Sequence, residues 1–315
     1  MIRSIRLRYR FHYGLCLALG LFLFPVLSWA KNPQPCGPGV TLKLSALESS
    51  QGSLLLVEVR SRKPILELTA EWNDKKIPFW QASAVQPAGN SSIRDLRRAL
   101  LGVDLEKLPG TYPLLTHVTV TNGNPASCAV QIPVRKGKFA TESLHVGKEF
   151  VEPDPEQIKR ANEERDQLRH IFDQVTPEKL WTGKFHVPLD GVTSGSNFGK
   201  RRVLNGQPGS PHGGVDFPAT TGTPVHAAQS GRVALAQELF FSGNTVVVDH
   251  GLGIYTFYGH LSAIDVKAGD TVDSGQVIGK VGATGRVTGP HLHWGLTVER
   301  ARVNPLQLVQ LPDYE

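Results

Sequence analysis

The sequence predicts a mainly β protein: an N-terminal immunoglobulin-like β-sandwich, one connecting helix, and a C-terminal antiparallel β domain. Three observations predict it. Short apolar runs separated by turn residues fill residues 40–134, one stretch from 155 repeats its apolar residues at helical spacing, and glycine-punctuated β runs continue from about 184 onward. The chain has 315 residues, 40% hydrophobic and 20% charged. Two domains fit that length, and the composition excludes disordered, collagenous and multi-span membrane classes.

Residues 1–30 read as a secretory signal peptide. Arg3, Arg6, Arg8 and Arg10 form a basic start, an apolar run extends from Gly14 to Leu27, and Ser28-Trp29-Ala30 supplies a small-x-small end, so cleavage is expected after Ala30. A signal anchor is the alternative, disfavoured because Pro25 breaks the run late. Cys16 lies within the run, but Tyr13-Gly14-Leu15 lacks the shape of a lipoprotein signal, so no stable membrane anchor is expected after cleavage. The net charge of +6 is concentrated here. Without this segment the charge is about +2, which gives no reason to expect nucleic acid as a partner. Export points to the periplasm or the cell exterior.

With the signal removed, Cys36 and Cys128 remain, an even pair in a compartment that permits oxidation. A disulfide is the expected state; two buried free thiols stay open, because spacing cannot prove proximity. A Cys2His2 zinc site is disfavoured by the lack of a nearby histidine pair. In the region 31–142 the β runs include Ser53-Leu54-Leu55-Leu56-Val57-Glu58-Val59, Ile65-Leu66-Glu67-Leu68-Thr69 and Thr116-His117-Val118-Thr119-Val120. His117 alternates with apolar neighbours on a predicted strand and reads as a solvated or hydrogen-bonded structural residue.

Residues 143–183 are expected to link the two domains. Asp154-Pro155-Glu156-Gln157 offers a cap, a proline at the first helical position and a glutamine completing a capping box. Ile158, Ala161, Leu168, Phe172 and Val175 then share one stripe, until Pro177 ends the helix. The stripe is expected to pack on a neighbouring domain; a partner-binding or self-inhibiting role is the alternative. Residues 184–315 form the last domain, with runs such as Thr245-Val246-Val247-Val248 and Ile254-Tyr255-Thr256-Phe257-Tyr258, no convincing helix and no fixed-period repeat.

Six of the eleven histidines fall between His212 and His293. They include three groups: His212-Gly213-Gly214-Val215-Asp216, Tyr258-Gly259-His260, and Gly289-Pro290-His291-Leu292-His293. Imidazole and carboxylate are natural ligands of a divalent transition metal. On a strand, residues two apart share a face, so His291 and His293 can address one small volume. Two glycines between His212 and Asp216 let the backbone bend toward one ion. A catalytic zinc site needs about three protein ligands and an open position. Five candidates therefore leave two histidines for acid-base work.

These groups, with Ser196-Asn197-Phe198-Gly199-Lys200-Arg201 and Gly222-Thr223-Pro224-Val225, resemble the LytM/lysostaphin-type peptidases, family M23, over about residues 184–305. The resemblance implies an antiparallel β-sheet groove open to an extended peptide and one zinc ion held by His212, Asp216 and His293. His291 would be the general base. His260 would stabilise the oxyanion or pass a proton to the leaving amine. The implied activity is that of a secreted zinc endopeptidase cutting peptidoglycan stem peptides, with D,D-bonds favoured over glycine bridges. Arg201 matches a basic family position and would orient a substrate carboxylate, with a solvated surface arginine equally open. Tyr258 is a candidate substrate contact or, with Trp294, part of the core or groove wall. His226 reads as packing and His250 as a structural hydrogen-bonding residue.

Two other classes compete. A non-catalytic regulator of wall amidases is disfavoured because all five metal-set residues are present and the connecting helix is short. A biotinyl- or lipoyl-type carrier hairpin at residues 266–279 is rejected because Lys280 is not displayed at a tight turn. For the N-terminal domain two roles stay open: docking a cell-wall protein, or lying across the groove.

Overall fold

A computed structural model describes residues 33–82, 93–192, 195 and 197–311. The expected signal segment, with Cys16 and the Ala30 cleavage site, lies outside the described residues, as does Ser196.

The N-terminal region folds into two five-stranded sheets. The first runs Gln34–Pro35, Val40–Leu44, Leu54–Ser61, Asp95–Gly102, Trp80–Gln81; the second runs Ser49–Ser50, Ala126–Arg135, Gly110–Val120, Ile65–Trp72, Lys75–Lys76. Their inner faces share one core, with Leu42, Val57, Val59 and Leu101 from one sheet and Trp72, Leu114, Val118 and Ile132 from the other. Gly110–Val120 shows the alternation a half-buried strand requires: Leu114, Thr116, Val118 and Val120 are buried while Leu115 and His117 are exposed. Cys36 and Cys128 form a disulfide that ties the two sheets together across a sequence separation of 92. Closing a loop of that size stabilises the fold by about 4–5 kcal/mol through lost unfolded-state entropy.

The run Leu54 to Val59 does not alternate, and the fold explains why. Leu55, Val57 and Val59 face the sandwich core, while Leu54 and Leu56 face the other way and join the C-terminal core together with Trp80, Leu96 and Leu100. This sheet is covered on both faces, so it needs apolar residues on both. Trp181 and Phe185, from the segment after the helix, complete the junction, with Trp181 edge-on to Trp80 at 5.5 Å. Polar contacts seal its rim: Arg302 pairs with Asp104 and Glu106, and the Leu54 N–H donates to Gln307 Oε1 at 2.7 Å.

The helix spans Pro155–Asp173 and opens with the expected capping box, in which Asp154 and Gln157 satisfy each other's backbone N–H. It ends at Asp173, short of Pro177, so Val175 lies beyond it and is 45% exposed. Leu168, Ile171 and Phe172 pack on Leu235, Leu239, Val247 and Tyr255. Ile158, 47% exposed, is not part of that contact. The stripe is thus half-buried where its last turns pack on the sheet, and Ile171, absent from the expected set, belongs to it.

The C-terminal region is built on a nine-stranded sheet whose main path runs Gly214–Pro218, His291–Val298, Ile254–Ile264, Gly243–Asp249, Gly231–Leu239, Thr271–Val272. Phe217, Val246, Tyr258, Leu261, Leu292 and Trp294 fill its core. One expectation fails: a helix occurs here, Pro305–Gln310, capped by Asn304 with Pro305 in its first turn. Six residues are too few to display helical periodicity in sequence. Thr141–Leu144, which straddles the expected boundary at 142, pairs in parallel with Arg201–Leu204 beside the main sheet.

Candidate active site

The site forms where two neighbouring strands of the large sheet meet a loop. Gly214–Pro218 pairs antiparallel with His291–Val298 in a register that sets Asp216 directly opposite His293. Directly paired residues on one face are the closest side-chain neighbours a sheet offers. His293 Nδ1 lies 2.8 Å from Asp216 Oδ1. His212 enters from the loop before Gly214–Pro218, its Nε2 standing 2.9 Å from His293 Nδ1 and 2.9 Å from Asp216 Oδ1. Gly214 makes room for this, since a Cβ there would stand 2.8 Å from the His293 ring and 2.5 Å from the Trp294 carbonyl.

Neighbouring groups aim each donor atom. The Asn197 carbonyl can only accept, so the contact at 3.0 Å places a proton on His212 Nδ1 and leaves the Nε2 lone pair facing the cluster. Asp216 Oδ2 accepts from Arg202 Nη2 at 2.9 Å and Asn197 Nδ2 at 3.0 Å, leaving Oδ1 for the cluster. Asn197 Oδ1 also accepts from the Asp216 backbone N–H. Burial pushes the Asp216 carboxyl up, but the adjoining His212 and His293 rings outweigh that and hold it well below the usual carboxylate range. Burial holds the His293 ring below its ordinary value, against the pull of Asp216.

Nε2 of His212, Oδ1 of Asp216 and Nδ1 of His293 therefore converge within 2.9 Å of one another. Lone pairs so close repel unless a proton or a cation sits among them. Two imidazole nitrogens and a carboxylate oxygen are the donor set of a catalytic zinc site with bonds of about 2.0–2.2 Å. The outward anchoring of His212 and Asp216 is the orienting arrangement such ligands require. The residues present fit a divalent ion.

His260 and His291 flank this cluster, with ring centroids 4.8 Å apart. His260 donates Nδ1–H to the Thr284 carbonyl and His291 donates Nδ1–H to the Gly289 carbonyl, both at 2.8 Å, so each Nε2 is a free acceptor. His291 Nε2 lies 3.8 Å from Asp216 Oδ1. Burial, then the neighbouring His293 and His291, pushes His260 down to about 3, which keeps its ring neutral. His260 also has a φ of +63°, a left-handed conformation that costs about 1 kcal/mol or more outside glycine and is found at functional sites. A cleft of about 320 Å³ opens over Asp216, His260 and His291, walled by Glu142, Arg202 and Arg286.

The five metal-set and catalytic candidates, His212, Asp216, His260, His291 and His293, are brought together; the two substrate candidates are not. Arg201 is exposed, while its neighbour Arg202 holds Asp216; successive strand residues face opposite sides. Tyr258 is fully buried, its hydroxyl accepting from the Ala228 N–H and from Thr256 Oγ1, so it is a core residue out of reach of substrate. His226 differs from simple packing: it is half-buried, with Nδ1 bonded to the Gly275 carbonyl at 2.8 Å. His250 is buried between the Ser230 carbonyl and Thr256 Oγ1, as a structural histidine should be. Asn197 and Arg202 were missed as anchors. Asn197 stands in a quoted motif, but nothing local marks which residue of the Arg201-Arg202 pair turns inward.

Comparison with known proteins agrees with this geometry. Residues 210–305 match the sequence profile described as Peptidase family M23. Residues 210–305 are a peptidase family M23 domain. Similar relatives include the peptidoglycan DD-endopeptidase ShyA of Vibrio cholerae, 34% identical over 186 residues that cover 59% of this chain and 38% of that protein. Another is the DD-carboxypeptidase/endopeptidase Mpg of Neisseria meningitidis, 43% identical over 104 residues that cover 33% of this chain and 24% of that protein. The chain thus matches well under half the length of these curated relatives. A crystal structure of an M23 peptidase from Pseudomonas aeruginosa is similar in fold, with a TM-score of 0.59 and 29% identity over 83% of this chain and 95% of that one.

Proposed function

We propose that this M23 protein is a zinc-dependent endopeptidase that hydrolyses the peptide cross-links of bacterial peptidoglycan at D,D-bonds, after export to the periplasm. The observation that carries the reading is the convergence of three lone-pair donors beside an open cleft that holds two further imidazoles with free Nε2 atoms. The names of the Vibrio and Neisseria relatives support the substrate class. The Cys36–Cys128 disulfide supports an oxidising compartment, as do the signal-like residues 1–30. Among the described residues no helix is long and apolar enough to cross a membrane.

His212, Asp216 and His293 would hold the ion. When bound, zinc supplies Lewis acidity that polarises the scissile carbonyl and makes water a nucleophile near neutral pH. His291 accepts the proton of the attacking water at Nε2 and, lining the cleft, passes it to the leaving amine. His260, held neutral and fixed by Thr284, accepts a hydrogen bond at Nε2 and orients the water. Arg202 and Asn197 keep Asp216 turned inward. The oxygen of water ends on the carbonyl carbon, the C–N bond breaks, and the amine leaves with the proton.

The test is digestion of diaminopimelate-type sacculi by zinc-loaded protein, with the released muropeptides resolved by mass spectrometry. Loss of cross-linked dimers with the wild type, and none with His291→Ala that still binds zinc, is the expected result. Intact dimers with zinc bound, or full turnover by His291→Ala, contradict the reading.

A further inference from the structure

The cleft carries one positive charge that no carboxylate among the described residues answers. Arg202 is matched by Asp216 at 2.9 Å and Lys200 by Glu142 at 2.7 Å. Arg286, in the loop before His291–Val298, lines the same cleft and has no carboxylate within ion-pair distance among the described residues. Burial, then the neighbouring Arg202, pushes its pKa down, as expected of a cation without a counter-ion.

Its placement is built. The Arg286 backbone N–H donates to the Phe241 carbonyl at 2.9 Å, and the guanidinium lies over the Phe241 ring at 4.5 Å. Gly285 holds the loop close, with a φ of +73° and space for no Cβ, which would stand 2.4 Å from the Gly243 nitrogen. Stacking on a ring immobilises the planar fork while leaving its N–H edge free, and that edge matches a carboxylate.

We propose that Arg286 is a specificity residue that binds a free carboxylate carried by the same carbon as the scissile nitrogen, on the residue that supplies the leaving amine. This rests on the reading of the cleft as a peptidoglycan endopeptidase site and narrows its substrate. In a diaminopimelate cross-link the carbon bearing the scissile nitrogen also bears a carboxylate. A C-terminal D-alanine presents the same arrangement, which would extend the activity to carboxypeptidase cleavage. Lysine-type and glycine-bridge links present none there. The carboxylate takes no part in bond making; it orients the leaving residue.

The test uses two peptide pairs: a diaminopimelate cross-linked dimer with that carboxylate free or as the carboxamide, and a stem pentapeptide with its C-terminal D-alanine free or amidated. Binding is read by calorimetry on the metal-free full chain, which cannot turn over, and KM and kcat are read on the zinc-loaded chain. Wild type is expected to bind a free acid about tenfold or more tighter than its amide. In Arg286→Gln the ratio falls to about one while amide affinity is kept, which separates a lost contact from a lost fold; Arg286→Lys restores part of the ratio. A ratio in both pairs assigns both carboxylate sources, and a ratio in one pair assigns that source alone. A wild-type ratio near one in both pairs, or one that survives in Arg286→Gln, overturns the proposal. Clear acid preference in binding with no cleavage of any peptide by the zinc-loaded chain would instead overturn the endopeptidase reading and leave the carboxylate site standing.

Discussion

Each half of the molecule holds a histidine directly opposite a polar partner on an antiparallel neighbour. In the N-terminal sandwich His117 pairs with Ser127, its Nδ1 at 2.7 Å from the hydroxyl. In the C-terminal sheet His293 pairs with Asp216 at 2.8 Å. The strand geometry is the same, but His117 is exposed and its partner has no further side-chain anchor among the described residues, whereas Asp216 is held from behind by Arg202 and Asn197 and met by His212. A cross-strand pair becomes a reactive site only when surrounding groups fix both partners with their lone pairs turned inward.

That comparison can be broken most sharply at Asp216. Asp216→Asn is expected to lose the bound metal and several kcal/mol of transition-state stabilisation, about three orders of magnitude in kcat/KM. Ser127→Ala, the matching change in the other half, is expected to stay within about 0.5 kcal/mol in stability and leave activity unchanged. Metal analysis and assay of the two variants side by side check this.

The next effect concerns the closed half. Replacing Cys36 and Cys128 by serine is expected to destabilise the sandwich by about 2–5 kcal/mol in a denaturant titration, without altering the metal content. A third effect concerns His250, a histidine of the C-terminal sheet that is structural. Burial pushes it down to about 4 in the fold, against about 6.5 in the unfolded chain. The unfolded state takes up the proton first, so stability that is complete above about pH 6.5 is lost as pH falls toward 4, by about 3 kcal/mol in total. Urea midpoints of the metal-free protein should fall over that window, and His250→Gln should fall less. The smallest of these effects tests the anchors: Arg202→Gln is expected to weaken metal affinity by about 10–100-fold, because it frees Asp216 Oδ2 while leaving the donor atom in place.

The donor spacings were legible because strand period sets them. His291 and His293 share a face in any strand, and the glycines after His212 announce a bend. Both disulfide cysteines and the capping box at Asp154 were legible for similarly local reasons. What sequence hid depends on which surface a strand meets. The unbroken apolar run Leu54 to Val57 carried the information that its sheet is covered twice, yet a run of that kind does not say by what. Arg201 and Arg202 are equivalent in sequence, and only pairing with Thr141–Leu144 decides that Arg202 turns toward Asp216. Tyr258 lies two residues before His260 yet is sealed in the core, because its hydroxyl is taken up by Ala228 and Thr256.

The central claim, that the anchored pair Asp216 and His293 together with His212 forms a metal centre, is tested most directly by anomalous diffraction at the zinc edge from zinc-loaded crystals of the full chain. One strong peak within about 2.0–2.2 Å of His212 Nε2, Asp216 Oδ1 and His293 Nδ1 is the predicted result. Zinc bound elsewhere, or no peak at these three atoms at saturating zinc, would contradict the account.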